Sequence, residues 1–237
     1  MRRAVDDRGI DHAAFPGVLR PDERRQHADN EVQGAATDIA ERGAPDRVVR
    51  AAMRQVIRRR LVSEDSRTDG DRAAMLQGWH DGPIAVVPEL ANAQHYEVPA
   101  GFFELILGPR LKYSSCLWTG AANLAGAEEA MLQTTAERAG IRNGMRILDL
   151  GSGWGSLSLW LAEHYPDAEI VAVSNSSSQG DFIRDRATAR GLRNLQHQVI
   201  DVNQLDIDGQ FDAIVSVEML EHVRNHPRLL HRLRRAR

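Results

Sequence analysis

Cysteine is nearly absent. Cys116 is the one cysteine in 237 residues, so no disulfide can form within the chain. Long apolar runs are also missing. None could span a bilayer, and the N-terminus carries no apolar signal core, so a soluble cytoplasmic protein is expected. Charge of one sign is lacking too. A formal net charge of −3 and a pI of about 6.3 exert no overall pull on nucleic acid or an anionic membrane. No internal repeat is visible, and no metal site is expected. What remains is ordinary for a globular enzyme-sized chain. Apolar residues make up 42%, and the length suits one α/β domain plus a helical extension.

The chain is organised around Arg146-Ile-Leu-Asp-Leu-Gly-Ser-Gly-Trp-Gly-Ser156. Met145–Leu150 reads as a buried strand with Asp149 near its end. Gly151, Gly153 and Gly155 follow, and a helical pattern starts at Ser156. Strand, glycine turn and helix bring backbone close to a nucleotide-like ligand at the carboxyl end of a strand. A Cβ in that turn would strain it or meet the ligand. The dinucleotide pattern G-x-G-x-x-G would need its third glycine at Ser156, so a flavin or nicotinamide oxidoreductase is disfavoured. A carboxylate beside the loop suits a ligand with an amino group better than a pyrophosphate.

Residues 1–44 carry little structural signal and read as a mobile arm, with a short helix near Thr37–Arg42. Residues 45–125 read as a helical extension. Asp46 is its expected N-cap, and Val48, Val49, Ala52, Met53, Val56, Ile57 and Leu61 recur at helical spacing. Arginines fill the other side. Such a helix can lie on a membrane, but packing of its apolar side on the same protein is the commoner use. A second helix is expected over Asp71–His80, and a third from Pro99 to about Leu107.

From residue 126 helices and strands alternate. Helices are expected at Gly126–Ala139, with Glu128 and Glu129 in the first turn, then at Ser156–His164, Gln179–Arg190 and Val223–Arg235. Strands are expected at Met145–Leu150, Glu169–Ser174, Leu195–Ile200 and Phe211–Val217. This spacing predicts an α/β fold with a doubly wound parallel sheet in the order 3-2-1-4.

The glycine stretch resembles the first motif of class I S-adenosylmethionine-dependent methyltransferases, hydrophobic-L-D-L-G-x-G-x-G. A narrower resemblance lies upstream, where aromatics concentrate. H-Y-E-V-P-x-x-F-F, from His95 to Phe103, and L-K-Y-S-S-C, from Leu111 to Cys116, are similar to the entry segment of the cyclopropane-fatty-acyl-phospholipid synthases and coclaurine N-methyltransferase-like enzymes. The resemblance implies a Rossmann-like fold and S-adenosyl-L-methionine as cofactor. It implies that Tyr113 and Ser114 contact the methionine end of that cofactor, beside Asp149, Gly151, Gly153 and Gly155. Val173-Ser174-Asn175-Ser176 departs from the acidic residue common at the end of the second strand. It is similar to the group's T/V-x-S-x-x-Q, which implies Ser174, Asn175 and Gln179 as cofactor contacts. Ser176 reads both as a contact and as a helix cap. Asp201, with the Val202 backbone beside it, is placed to accept from the adenine amino group, although a lone Asp at a strand end is often only a cap. The family carries a seven-stranded sheet and four strands are legible, so a continuation beyond Arg237 is expected.

Val217-Glu-Met-Leu-Glu-His222 resembles the N-methyltransferase members, whose Glu and His lie against the acceptor amine. Glu218, Glu221 and His222 are therefore the candidate catalytic residues. They sit where open α/β sheets place their sites. Three departures point away from lipid cyclopropanation: Ser115 where the synthases have Cys, Glu218 where they have Gly, and Ala100-Gly101 where they prefer Asn-Asp. The expected acceptor is a small molecule, most readily an amine, with lipid modification as the alternative. A non-catalytic nucleotide- or lipid-binding module explains the glycine loop but leaves Glu218, Glu221 and His222 without a use. An RNA- or membrane-binding adaptor resting on the arginine-rich helices would bind in a salt-sensitive way without the cofactor.

Overall fold

The computed structural model of the chain describes residues 43–86, 100–206 and 209–236. Residues 1–42 of the arm, with the expected Thr37–Arg42 helix, and the His95–Pro99 part of the entry segment lie outside those residues. Two compact units are present, Met1–Gln77 and Gly78–Arg237. In the first, α1 runs Asp46–Asp65 with Pro45 as its N-cap; Asp46 is its first residue and accepts from Arg50 Nε at 2.7 Å. No residue of α1 is buried, so the packing expected of its apolar side does not extend to burial. Helix α2, Asp69–Asp81, starts before the expected Asp71 because Thr68 and Asp71 cap each other reciprocally. Thr68 N donates to Asp71 Oδ2 at 2.9 Å and Asp71 N to Thr68 Oγ1 at 3.1 Å.

The second unit is a parallel sheet in the order β3-β2-β1-β4, as the alternation predicts. Its strands are β1 (Arg146–Leu150), β2 (Glu169–Ser174), β3 (Leu195–Val199) and β4 (Ala213–Val215). The helices are α3 (Ala100–Ile106), α4 (Leu124–Arg138), α5 (Ser156–His164), α6 (Ser177–Ala189) and α7 (His226–Arg235). β1 is central, pairing Leu150 with Val173 on one side and Asp149 with Val215 on the other. Strand side chains alternate between faces. Leu148 and Leu150 join a core with Ile84, Val171, Val173 and Leu229. Ile147 joins the opposite core with Leu132, Trp160, Leu161 and Ile170. The same alternation turns Asp149 towards α5. None of the helices among the described residues is long and apolar enough to cross a membrane.

Several boundaries differ from expectation for identifiable reasons. Helix α4 starts at Leu124, because Asn123 caps it by accepting from Gly126 N at 2.9 Å. Glu128 and Glu129 therefore fall beyond the first turn and serve as acceptors for other elements. Helix α7 starts at His226, where Pro227 sits in the first turn and Asn225 accepts from Arg228 N at 3.1 Å. β4 is shorter than Phe211–Val217. At one end Phe211 N bonds Ala236 O at 2.7 Å, and at the other Ser216 Oγ donates to Leu150 O at 2.8 Å. Within this unit residues 80–86 are tied to the later elements. Asn203 exchanges both amide bonds with the Ala85 backbone, and Asn225 Nδ2 donates to the carbonyls of His80 and Gly82.

Candidate functional site

The glycine turn leaves β1 and is fastened to β2, since Gly151 N and Ser152 N both donate to Val173 O at 2.8 and 3.0 Å. Gly151 has φ +87°, and a Cβ there would stand 2.8 Å from Met219. Gly155 has φ +81° and precedes α5; a Cβ on it would meet Ile183 at 2.6 Å. Both positions need glycine for conformation and for space. The turn lines a cleft of about 100 Å³ shared with Lys112, Tyr113, Ser114, Asp149 and Glu218. Ser152 Oγ, Trp154 Nε1 and Ser156 Oγ, all from cleft-lining residues, are buried without a hydrogen-bond partner among the described residues. Gln179 Nε2 is in the same state. Buried donors left unpaired are costly, so a cluster of them beside a cleft marks a place for ligand acceptors.

A strap, residues 108–115, brings Lys112, Tyr113 and Ser114 to the cleft. Its anchor is Glu128, fully buried on α4, which accepts from Arg110 N at 3.0 Å and Lys112 N at 2.9 Å. Gly108 lies so close to that carboxylate that any Cβ would collide with it. Arg110 then binds Glu129 at 2.8 Å and Glu163 at 2.5 Å. Burial acts to raise the Glu163 pKa, but its bonds to Arg110 and Arg190 outweigh this and hold it below the usual carboxylate range. Aromatic rings pack on Trp154 of the turn: Phe103 lies 5.0 Å from it and Phe182 5.3 Å.

Two charges define the floor. Asp149 is 2% exposed and accepts from Ser158 Oγ at 2.5 Å. Burial pushes its pKa up to about 6, against the opposing pull of the Ser158 bonds and the Lys112 charge. Lys112 is 9% exposed, and burial lowers its pKa despite the nearby Cys116, Glu218, Glu128 and Asp149. Lys112 did not stand out in the sequence, because a lone charged residue reads as solvated, and Glu128 was read only as a first-turn residue of its helix.

Glu218 stands at the cleft rim in a left-handed conformation, φ +56°, and accepts from Ser115 Oγ at 3.0 Å. Ser115 is itself left-handed at φ +59°. Such backbone costs roughly 1–2 kcal/mol for a residue with a Cβ and clusters at functional sites. Glu218→Gly is therefore expected to stabilise the protein by about 1 kcal/mol, raising the melting temperature by roughly 2–4 °C. A melting curve unchanged or shifted down would mean that the Ser115 bond outweighs the backbone strain.

The other expected residues fall into separate groups. Tyr113, Ser114, Asp149, Gly151 and Gly153 line the cleft with Glu218, while Gly155 closes the turn behind it. Ser174, at the end of β2, is 3.1 Å from His197 Nε2. Asn175 follows it, and Gln179 is buried in the first turn of α6. Ser176 caps that helix, accepting from Gln179 N at 3.4 Å. Asp201 caps the 3₁₀ turn Val202–Gln204 by accepting from Asn203 N at 2.8 Å, and the Val202 carbonyl accepts from Leu205 N and Arg232. Glu221 and His222 lie exposed on the 3₁₀ turn Leu220–His222, beyond the residues that line the cleft.

Comparison with known proteins gives a consistent family. The profile of the mycolic acid cyclopropane synthetase family matches residues 88–235. An (S)-coclaurine N-methyltransferase of Thalictrum flavum subsp. glaucum is 33% identical over 195 residues, covering 80% of this chain and 54% of that protein. The cyclopropane-fatty-acyl-phospholipid synthase of Escherichia coli K12 is 35% identical over 134 residues, 56% of this chain and 34% of the relative. The chain thus spans between a third and about half of these relatives. Among solved structures, coclaurine N-methyltransferase bound to N-methylheliamine and SAH superposes with a TM-score of 0.73 at 29% identity, covering 87% of this chain and 61% of the other. A mycolic acid cyclopropane synthase complexed with SAH and CTAB gives 0.54 at 30% identity, with 62% and 54% covered.

Proposed function

The chain belongs to the mycolic acid cyclopropane synthetase family, and on that premise we propose that it binds S-adenosylmethionine at the glycine turn and methylates a small-molecule amine. The residues present fit that cofactor. The turn is open at Gly153, where a Cβ would meet nothing within 4 Å, and the unpaired donors of Ser152, Trp154 and Gln179 await acceptors. Bound there, S-adenosylmethionine supplies a methyl group on a sulfonium, ready for in-line displacement.

The chain's own residues do the rest. Asp149 is the counter-charge for the ammonium of the amino-acid end. Tyr113 and Ser114 close the strap over that end and keep water out. Ser174, Asn175 and Gln179 take the ribose, and Asp201 with the Val202 backbone takes the adenine. Alignment of donor and acceptor carries most of the rate in such a displacement. Glu221 and His222, exposed on the turn that follows the rim, are assigned to take the proton that the nitrogen gives up once the acceptor is bound. Glu218 draws the amine to the rim and orients it.

The observation that carries the amine reading is Glu218 itself, a carboxylate held by Ser115 on the rim of the cleft that contains Asp149. Lipid modification is the second reading, favoured by the family's name and by the Escherichia coli relative. Labelled cofactor offered with a panel of secondary amines and with unsaturated phospholipid vesicles separates the two. Label is expected in an N-methyl product. Label found only as ring methylene in lipid would transfer the assignment to the synthases, and cofactor binding with no transfer to either would leave a binding module.

A further inference from the structure

The cleft holds donors that neither Asp149 nor Glu218 engages. Lys112, a residue 9% exposed, lines it from the strap, and no described side chain hydrogen-bonds or ion-pairs its ammonium. The Ser152 hydroxyl and the Trp154 indole N–H, on residues 8% and 4% exposed, lack partners among the described residues. The turn runs directly into the N-terminus of α5, a nine-residue helix whose first amides favour an anion. Facing this group is Asp149, a buried carboxylate close enough for the two charges to act on each other. One cation and one buried anion lining a cleft of about 100 Å³ match the charges on the α-carbon of an amino acid.

We propose that Lys112, assisted by Ser152 and Trp154, binds the α-carboxylate of the ligand's amino-acid end opposite Asp149, so that the cleft selects a zwitterion. This rests on the reading of the cofactor given above and adds a specificity residue to it. A bare ammonium would gain from Asp149 but be repelled by Lys112. A bare carboxylate would meet the reverse. Only a group bearing both charges on one carbon satisfies both walls. Burial lowers the Lys112 pKa in the empty cleft, and an arriving carboxylate would restore the charged form that burial disfavours.

The test is calorimetric titration with two ligands, S-adenosylhomocysteine and its decarboxylated counterpart, which keeps the ammonium, thioether and adenosine. The wild-type protein is expected to prefer the first by about 10- to 100-fold, the range for hydrogen bonds to charged groups. In Lys112→Met and Lys112→Gln that preference should fall to within about threefold, with circular dichroism confirming the fold. Ser152→Ala should lower it by a smaller factor, about threefold, as for one neutral hydrogen bond. Lys112 variants that weaken both ligands equally and keep the preference would assign Lys112 a structural part only and overturn the proposal. A wild-type protein that binds both ligands alike would overturn it too, leaving the cofactor reading intact. A folded protein that binds neither ligand would remove both.

Discussion

Asp149→Ala is expected to weaken S-adenosylhomocysteine binding by about a hundredfold, while Asp149→Asn makes the ligand-free protein more stable at neutral pH. Both effects follow from where the carboxylate sits. It is 2% exposed, and burial raises its pKa to about 6 against the pull of Ser158 and Lys112. The folded state therefore prefers the protonated form. Below about pH 4 both folded and unfolded chains hold the proton, and the group contributes nothing to the pH dependence. As pH rises from about 4 to 6 the unfolded chain loses its proton first, so stability declines across that window and is level above it. At roughly 1.4 kcal/mol per pH unit, the ionised carboxylate costs the empty fold about 3 kcal/mol. Asparagine keeps an acceptor for the Ser158 hydroxyl and carries no charge, so it should recover much of that. An ammonium entering the cleft reverses the balance, because it needs the ionised partner. Binding should release a proton below about pH 6 and tighten as pH rises from 5 to 7. In Asp149→Asn this tightening should vanish. Titrations at pH 5, 6 and 7 check it; a variant that keeps the wild-type pH profile would assign the dependence to another group.

The largest loss of stability is expected from Glu128→Ala. The carboxylate is fully buried and accepts from Arg110 N and Lys112 N at 3.0 and 2.9 Å. Truncation leaves two amides unpaired and opens a void next to Gly108. Each unpaired buried amide costs roughly 1–3 kcal/mol and the cavity adds to it, giving about 4 kcal/mol in all. That corresponds to a melting temperature lower by about 10 °C for a protein of this size. Glu128→Gln keeps one acceptor oxygen and should fall between the two. Because the strap carries Lys112, Tyr113 and Ser114, ligand affinity should fall with stability in this series. A Glu128→Ala protein that melts with the wild type would show that the strap is held by Arg110 and its carboxylate partners instead.

Strands β1 and β2 were legible because strands buried on both faces write continuous apolar runs. Ile147, Leu148 and Leu150 bracket the strand in the sequence as they do in the fold, and β2 and α5 occupy their expected residues. The glycine turn was legible because its residue types are forced by φ and space. The strap was not. Its key contacts join Lys112 N to Glu128, 16 residues away, and Ser115 to Glu218, 103 away, and neither pairing leaves a periodic trace. Glu128 was expected in a first turn because the Asn123 cap went unread; α4 starts at Leu124, and the carboxylate, one turn further in, is the buried acceptor of the strap amides. Lys112 stands beside Tyr113 and Ser114 in the same short stretch. Nothing in its neighbours signals that it lines a cleft.

The measurement that bears most directly on the account is calorimetric titration of the folded wild-type protein with S-adenosylhomocysteine at pH 7. Saturable one-to-one binding, with a dissociation constant of about a micromolar, is the expected result. Absence of binding in a protein whose circular dichroism and cooperative melting show an intact fold would contradict the claim that the glycine-turn cleft is a cofactor site.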